Sequence, residues 1–165
     1  MKCRFAFFSI LLLQMLWMPQ LVLAQTDSLR ITVNEGTNMA VALSPDGQSL
    51  AIDLQGTIWL LPTKGGMAKA LTDFRDDAHQ PAWSPDGKRI TYFSYRDGTF
   101  HIYSIRPDGA DLQKHTSGEF DYREPVYSPD GARLLFSSDR GGSYNLWELS
   151  LKTKELKQLT DNGGN

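Results

Sequence analysis

Cysteine is almost missing from this chain. The single copy, Cys3, stands next to the start, so there is no partner for a disulfide and no paired thiolates for zinc or redox chemistry. Histidine is scarce as well. His79, His101 and His115 never fall in a His-x-His or His-Glu-x-x-His spacing, which removes the usual ligand sets of metal hydrolases. No Gly-x-Ser-x-Gly elbow occurs, so that route to a serine nucleophile is closed. The 17 Lys and Arg residues are dispersed rather than clustered, which argues against nucleic acid or an anionic membrane as partner. No helical periodicity of useful length follows residue 25. These absences predict a chain with no catalytic residue, no metal and no cofactor of its own. What remains is a hydrophobic content of 41%, enough for a packed globular domain and too much for a disordered one.

The first residues stand apart. Lys2 and Arg4 precede an apolar run from Phe5 to Met18, followed by Pro19 and then Val22-Leu23-Ala24. A charged start, a short apolar stretch, a helix break and a small residue read as a secretory signal peptide over 1–24, cut after Ala24. The run is too short to span a bilayer and is interrupted by Gln14, so no stable membrane anchor is expected after cleavage. Cys3 lies too early to be a lipid-attachment site. Cleavage removes Lys2 and Arg4 and no acidic residue, so a net charge of −2 becomes −4. The mature chain is expected to be periplasmic or secreted.

The mature chain is organised around one tetrapeptide. Ser-Pro-Asp-Gly occurs at Ser44, Pro45, Asp46, Gly47, again at Ser84, Pro85, Asp86, Gly87, and a third time at Ser128, Pro129, Asp130, Gly131. The intervals are 40 and 44 residues, a period that signals a repeat architecture. Proline presets φ at the second turn position, and glycine takes a left-handed fourth position without steric cost. Apolar-rich runs flank each copy, so each reads as the tip of a β-hairpin. Second strands at Ser49–Asp53, Arg89–Ser94 and Arg133–Ser138 are followed by third strands carrying Ile58-Trp59, Ile102-Tyr103 and Leu146-Trp147. Fourth strands close on Thr72, Thr116 and Thr160. The second turn of the first copy is four residues shorter, which accounts for the shorter first interval.

Four short antiparallel strands per repeat make one blade of a β-propeller. The predicted fold is therefore all-β: three four-stranded blades, about 38–72, 79–116 and 123–160, forming an incomplete propeller after the signal peptide. Residues 25–37 form a leader whose strand at Ser28–Asn34 is placed to close a ring. A blade cannot cover both of its own faces, and the apolar positions Leu43/Trp83/Tyr127 and Trp59/Tyr103/Trp147 need neighbours on each side. Since propellers close with about four to eight blades, three blades are expected to be the N-terminal part of a longer propeller.

The segment Gln80-Pro-Ala-Trp-Ser-Pro-Asp-Gly-Lys-Arg-Ile-Thr-Tyr-Phe-Ser, with the later Ile-Tyr, Pro-Asp-Gly and Thr116, resembles the TolB-type propeller repeat of periplasmic proteins. The resemblance covers roughly 35–165. It implies a propeller like that of the TolB translocation protein, which binds protein partners, or like those capping serine peptidases of the prolyl-oligopeptidase type. The opening of the first blade, Ala-Leu-Ser-Pro-Asp-Gly-Gln-Ser-Leu-Ala-Ile-Asp-Leu-Gln-Gly-Thr-Ile-Trp, is most similar to the N-terminal propeller arm of large secreted amidohydrolases. Val41 and Leu43 depart from the repeat, standing where the other copies have proline and an aromatic.

Candidate binding residues come from the repeat alignment. His79 aligns with Met39 and Arg123, at the start of the innermost strand, and Gln80 and Glu124 follow. Inner-strand starts face the mouth of a propeller channel, so His79, Gln80, Arg123 and Glu124 are the ligand-binding candidates. His115 aligns with Leu71 and is expected to be packed, while His101 is expected to be an exposed strand residue. Asp73, Asp76 and Asp77 form an acidic cluster. Asp77 aligns with Asp121, which predicts capping of nearby backbone N–H groups rather than a cation site. The expected function is a non-catalytic, exported propeller segment that binds a protein or ligand. The alternative is the N-terminal arm of a hydrolase, an amidohydrolase or a prolyl-oligopeptidase-type peptidase, whose catalytic domain follows residue 165 in the same polypeptide.

Overall fold

The computed structural model describes residues 39–161; the expected signal peptide, the expected leader strand and residues 162–165 lie outside the described residues. Twelve strands form three four-stranded antiparallel sheets, each a simple meander. The first blade contains β1 (Val41–Leu43), β2 (Ser49–Leu54), β3 (Thr57–Pro62) and β4 (Lys69–Ala70). The second contains β5 (Ala78–Trp83), β6 (Ile90–Ser94), β7 (His101–Ile105) and β8 (Gln113–Lys114). The third contains β9 (Tyr122–Tyr127), β10 (Arg133–Ser138), β11 (Asn145–Ser150) and β12 (Leu156–Gln158). One 3-10 turn, Phe74–Asp76, joins the first blade to the second.

Register repeats with the sequence. Leu43 pairs with Leu50, Trp83 with Ile90 and Tyr127 with Leu134 across the first hairpin of each blade. Across the second hairpin the pairs are Ile52–Trp59, Tyr92–Tyr103 and Phe136–Trp147. Side chains alternate between faces along a strand, so this shared register points equivalent residues of each blade the same way.

The Ser-Pro-Asp-Gly turns show why serine opens the motif. Each serine hydroxyl is buried; it donates to the aspartate two residues on and accepts the amide five residues on, Ser49, Arg89 or Arg133. The same aspartate oxygen accepts the amide of Gln48, Lys88 or Ala132. Gly47, Gly87 and Gly131 take φ of 68°, 68° and 70°, the left-handed region where a Cβ would be strained. At the far end of each blade, the closing threonine hydroxyl accepts an amide of the third strand: Thr72 from Ile58 at 2.9 Å, Thr116 from Ile102 at 3.0 Å, Thr160 from Leu146 at 3.0 Å. The side chain substitutes for the ladder bond that the short fourth strand no longer supplies.

The core lies between blades rather than within them. One apolar cluster joins Ala51, Ile58 and Leu71 to Ala78, Ile90, Tyr92 and Tyr103, spanning the first two blades. Another joins Phe93 and Ile102 to Tyr122, Leu134, Phe136 and Leu149, spanning the second and third. Every residue of β6 and β7 is buried, because the middle blade is covered on both faces. The outer faces differ. Ile58 and Ile102 are fully buried, whereas Leu146 at the same repeat position is 50% exposed. Val41 is 62% exposed, whereas Pro81 and Pro125 at its position are buried.

His101 corrects an expectation. It is 3% exposed, not a surface residue. The first position of each third strand, Thr57, His101 or Asn145, turns inward. His101 stacks on Tyr122 with ring centroids 5.7 Å apart, and its ring nitrogens lie 3.2 Å from Thr116 Oγ1 and 2.9 Å from Thr99 Oγ1.

Candidate functional site

The inner strands β5 and β9 begin with a bulge. Pairing shifts between His79 and Ala82, and again opposite Leu135–Ser137. Gln80 and Glu124 occupy these bulges with φ of 49° and 57°, each immediately before a buried proline. A residue before proline is ordinarily held in extended backbone, and left-handed geometry on a non-glycine residue stores about 1–3 kcal/mol. In both blades the bulge leaves the Gln80 and Glu124 side chains exposed.

Asp53 holds the first bulge in place. This buried carboxylate accepts the Ala40 amide at 2.6 Å and the Gln80 amide at 2.7 Å, tying the inner strands of two blades to one side chain. His79 stands beside it. One ring nitrogen is 2.8 Å from Asp77 Oδ1, the other 3.9 Å from Asp53 Oδ2, and the ring lies 5.5 Å from Phe93. Met39, Ala40, Asp53, His79, Gln80 and Phe93 line an open pocket of about 350 Å³.

Arg123 is connected to His79 through aromatic rings. Phe93 packs edge-on to Phe100 at 5.3 Å, and the Arg123 guanidinium lies over Phe100 at 4.4 Å and near Tyr144 at 5.9 Å. Tyr95, about half exposed, extends the row at 5.0 Å from Phe100. Arg123 Nη2 donates to Asp121 Oδ2 at 2.8 Å. Burial pushes the Asp121 carboxyl up, but hydrogen bonds from Arg123 and the Phe100 amide outweigh it and hold it below the ordinary carboxylate range. The Arg123 guanidinium thus lies over Phe100 and near half-exposed Tyr144 while its side chain stays about 39% exposed.

His79 and Gln80 thus share one pocket, and Arg123 joins them through Phe93 and Phe100. Glu124 repeats the Gln80 backbone geometry one blade on. The acidic cluster acts on backbone and basic groups. Asp73 accepts the Arg75 amide at 2.9 Å, Asp76 accepts the Asp73 amide at 3.1 Å, and Asp121 accepts the Phe100 amide at 3.2 Å. Asp53, Phe93 and Phe100 were not legible as site residues. The one available signal was a carboxylate at Asp53 where the other copies carry Phe93 and Ser137, an odd choice for the middle of a buried strand.

A family model described as the TolB beta propeller domain matches residues 17–165. An uncharacterized protein of Agrobacterium fabrum is 38% identical over 82 residues, 47% of this chain and 28% of that protein. Dipeptidyl-peptidase 5 of Porphyromonas endodontalis is 32% identical over 85 residues, 46% of this chain and 12% of that protein. The solved structure of TolB from Acinetobacter baumannii superposes with a TM-score of 0.64 at 25% identity, over 76% of this chain and 33% of that one. The matched part of each of these relatives is a third or less of its length.

Proposed function

Because the chain belongs to the TolB β-propeller family, we propose that it is an exported, non-catalytic propeller segment that binds a protein partner at its inner-strand mouth. The row His79–Phe93–Phe100–Arg123–Tyr144 carries this reading. It offers rigid aromatic area and a cation, while the strained bulges project Gln80 and Glu124 beside it. Photo-crosslinking residues introduced at Gln80 and Glu124 in the producing cell test it. Discrete adducts are expected at both positions, lost on Arg123→Ala, and absent from Met67, which is exposed in the β3–β4 loop. Equal adducts at Met67, or adducts indifferent to Arg123→Ala, refute the mouth as the binding face. Export is tested by N-terminal sequencing of the secreted or periplasmic product, expected to begin at Gln25. Among the described residues no helix is long and apolar enough to cross a membrane.

The similarity to a dipeptidyl-peptidase favours a second reading, in which these blades are the arm of a hydrolase. The same mouth would then face a catalytic domain of the same polypeptide and filter what reaches it. The coding frame past Asn165 separates the forms of this reading. A Gly-x-Ser-x-Gly elbow marks the peptidase and a His-x-His stretch opening a β/α barrel marks the amidohydrolase. Further blades and a stop codon leave the binding module.

A further inference from the structure

A second pocket lies at the opposite ends of the inner strands, between the second and third blades. It is a cleft of about 900 Å³ bordered by two Ser-Pro-Asp-Gly turns, the β7–β8 turn, β8 and the β11–β12 turn. That is the size range of small-molecule sites.

The repeat provides an internal comparison. Between the first and second blades the corresponding place is filled. Leu71 is buried in the shared core, the Trp83 indole donates to the Ala42 carbonyl at 3.1 Å, and Lys69 Nζ donates to the Asp108 carbonyl at 2.5 Å. Between the second and third blades, His115 replaces Leu71, Tyr127 replaces Trp83 and Arg89 replaces Ser49. An apolar seam has become a polar cleft at the same position of the same fold.

The polar groups there are not used up by one another. Arg89 Nε donates to Ser104 Oγ at 2.8 Å, and Ser104 Oγ lies 2.7 Å from His115 Nε2. Ser104 is fully buried, so its own hydrogen needs an acceptor, and His115 Nε2 is the one at hand. That arrangement puts the imidazole hydrogen on Nδ1, which is buried without a partner among the described residues. The Tyr127 hydroxyl is buried beside Ser104, and its own hydrogen has no acceptor among the described residues. Burial holds His115 neutral, its pKa lowered to about 4, with Lys154 and Arg89 adding to the effect, and burial pushes the Tyr127 phenol up. Both are therefore standing donors at neutral pH.

Charge on the cleft is also unbalanced in one direction. The bordering carboxylates are satisfied. Asp86 and Asp130 are held by their turn serines and amides, and Asp108 by Arg106 at 2.6 Å. Arg89 is paired with Asp111 at 2.6 Å. Lys154, on the exposed β11–β12 turn, forms no ion pair among the described residues. The surplus consists of donors and one cation.

We propose that this cleft binds a small organic carboxylate, with the carboxylate on the Lys154 ammonium and the ligand's acceptor atoms on His115 Nδ1–H and the Tyr127 hydroxyl. A rotamer change of Lys154 or Leu151 on the exposed turn opens the floor to the ligand. Leu151 and the neighbouring prolines supply the apolar wall.

Saturation-transfer NMR on the full chain tests this with indole-3-acetate, 4-phenylbutyrate and N-acetylphenylalanine, each beside its primary amide. The acids are expected to bind about tenfold more tightly than the amides, the difference one charge-assisted contact makes. Lys154→Met erases that preference. His115→Leu, which installs the first blade's residue, and the near-isosteric Tyr127→Phe each weaken acid binding by about tenfold. The melting temperature of Tyr127→Phe at pH 7 stays level or rises, because it removes a buried hydroxyl that had no partner, whereas His115→Leu also takes the acceptor from buried Ser104 and lowers it modestly. Arg123→Ala, at the other end of the strands, leaves acid binding unchanged. No acid bound, acids and amides bound alike, binding indifferent to Tyr127→Phe and His115→Leu, or binding lost with Arg123→Ala would each overturn the assignment.

Discussion

Gly131 lies against Pro85: a Cβ added to the glycine would stand 3.6 Å from the proline Cδ. Gly87 bears the same relation to Pro45 one blade earlier, at 3.8 Å. The motif therefore acts twice. Its glycine closes a hairpin within one blade, and its proline receives the glycine of the next. Gly47 has the same left-handed φ but nothing within 4 Å of its Cβ position. Valine at Gly47 should cost about 1–2 kcal/mol from backbone strain alone. Valine at Gly87 or Gly131 should cost more, since its Cγ atoms meet the proline, and Lys88→Val should be near neutral. Thermal melts of the four variants check this; equal shifts at Gly47 and Gly131 would show that stacked turns do not couple the blades.

The closing threonines make a second comparison. Thr116 is buried and is the acceptor for the buried Ile102 amide. Thr116→Val keeps the shape and removes the acceptor, leaving an unsatisfied amide worth about 1–3 kcal/mol. Thr160 accepts the amide of half-exposed Leu146, where water can take over. Thr160→Val should therefore cost well under half as much by denaturant titration, despite the identical hydrogen bond.

These pairs show what a single sequence can and cannot carry. Turn chemistry and the strand period are local, so the blades and the closing threonines were legible. Which face of a blade is covered is not local. Period-2 alternation placed His101 on a strand but could not say that Tyr122 of the next blade would stack on it. His115 was expected to pack as Leu71 does. It is partly buried and lines a cleft opposite Tyr127, where the first seam has Trp83. The mouth candidates His79 and Arg123 followed from the repeat. The rings that connect them, Phe93 and Phe100, come from β6 and the β6–β7 loop, and only the folded blade brings them between the two.

His115 should leave a pH signature. The folded chain keeps it neutral down to about pH 4, whereas the unfolded chain protonates it near 6.5. Between those values the unfolded state binds the additional proton, so stability falls as pH drops through the window and levels off below it. His101, also lowered by burial, adds a slope of the same sign. Melting temperature followed from pH 7 to pH 4 should fall less steeply in His115→Leu than in the parent chain. Parallel curves would show that His115 is solvated and freely protonated.

The outer faces give the sharpest test of the architecture. Ile102 and Leu146 occupy one repeat position, the first fully buried against the third blade and the second half exposed. Val126 and Leu159 lie exposed in the same blade as Leu146, an apolar surface that soluble monomers seldom present. Ile102→Lys should unfold the chain, because an unpaired ammonium in that core costs several kcal/mol. Leu146→Lys should leave the melting transition in place and reduce self-association, read by light scattering across a concentration series. If instead Leu146→Lys unfolds the protein as Ile102→Lys does, the third blade's outer face is already packed in solution. In that case the forward surfaces of the second and third blades are equivalent in environment as well as in sequence position.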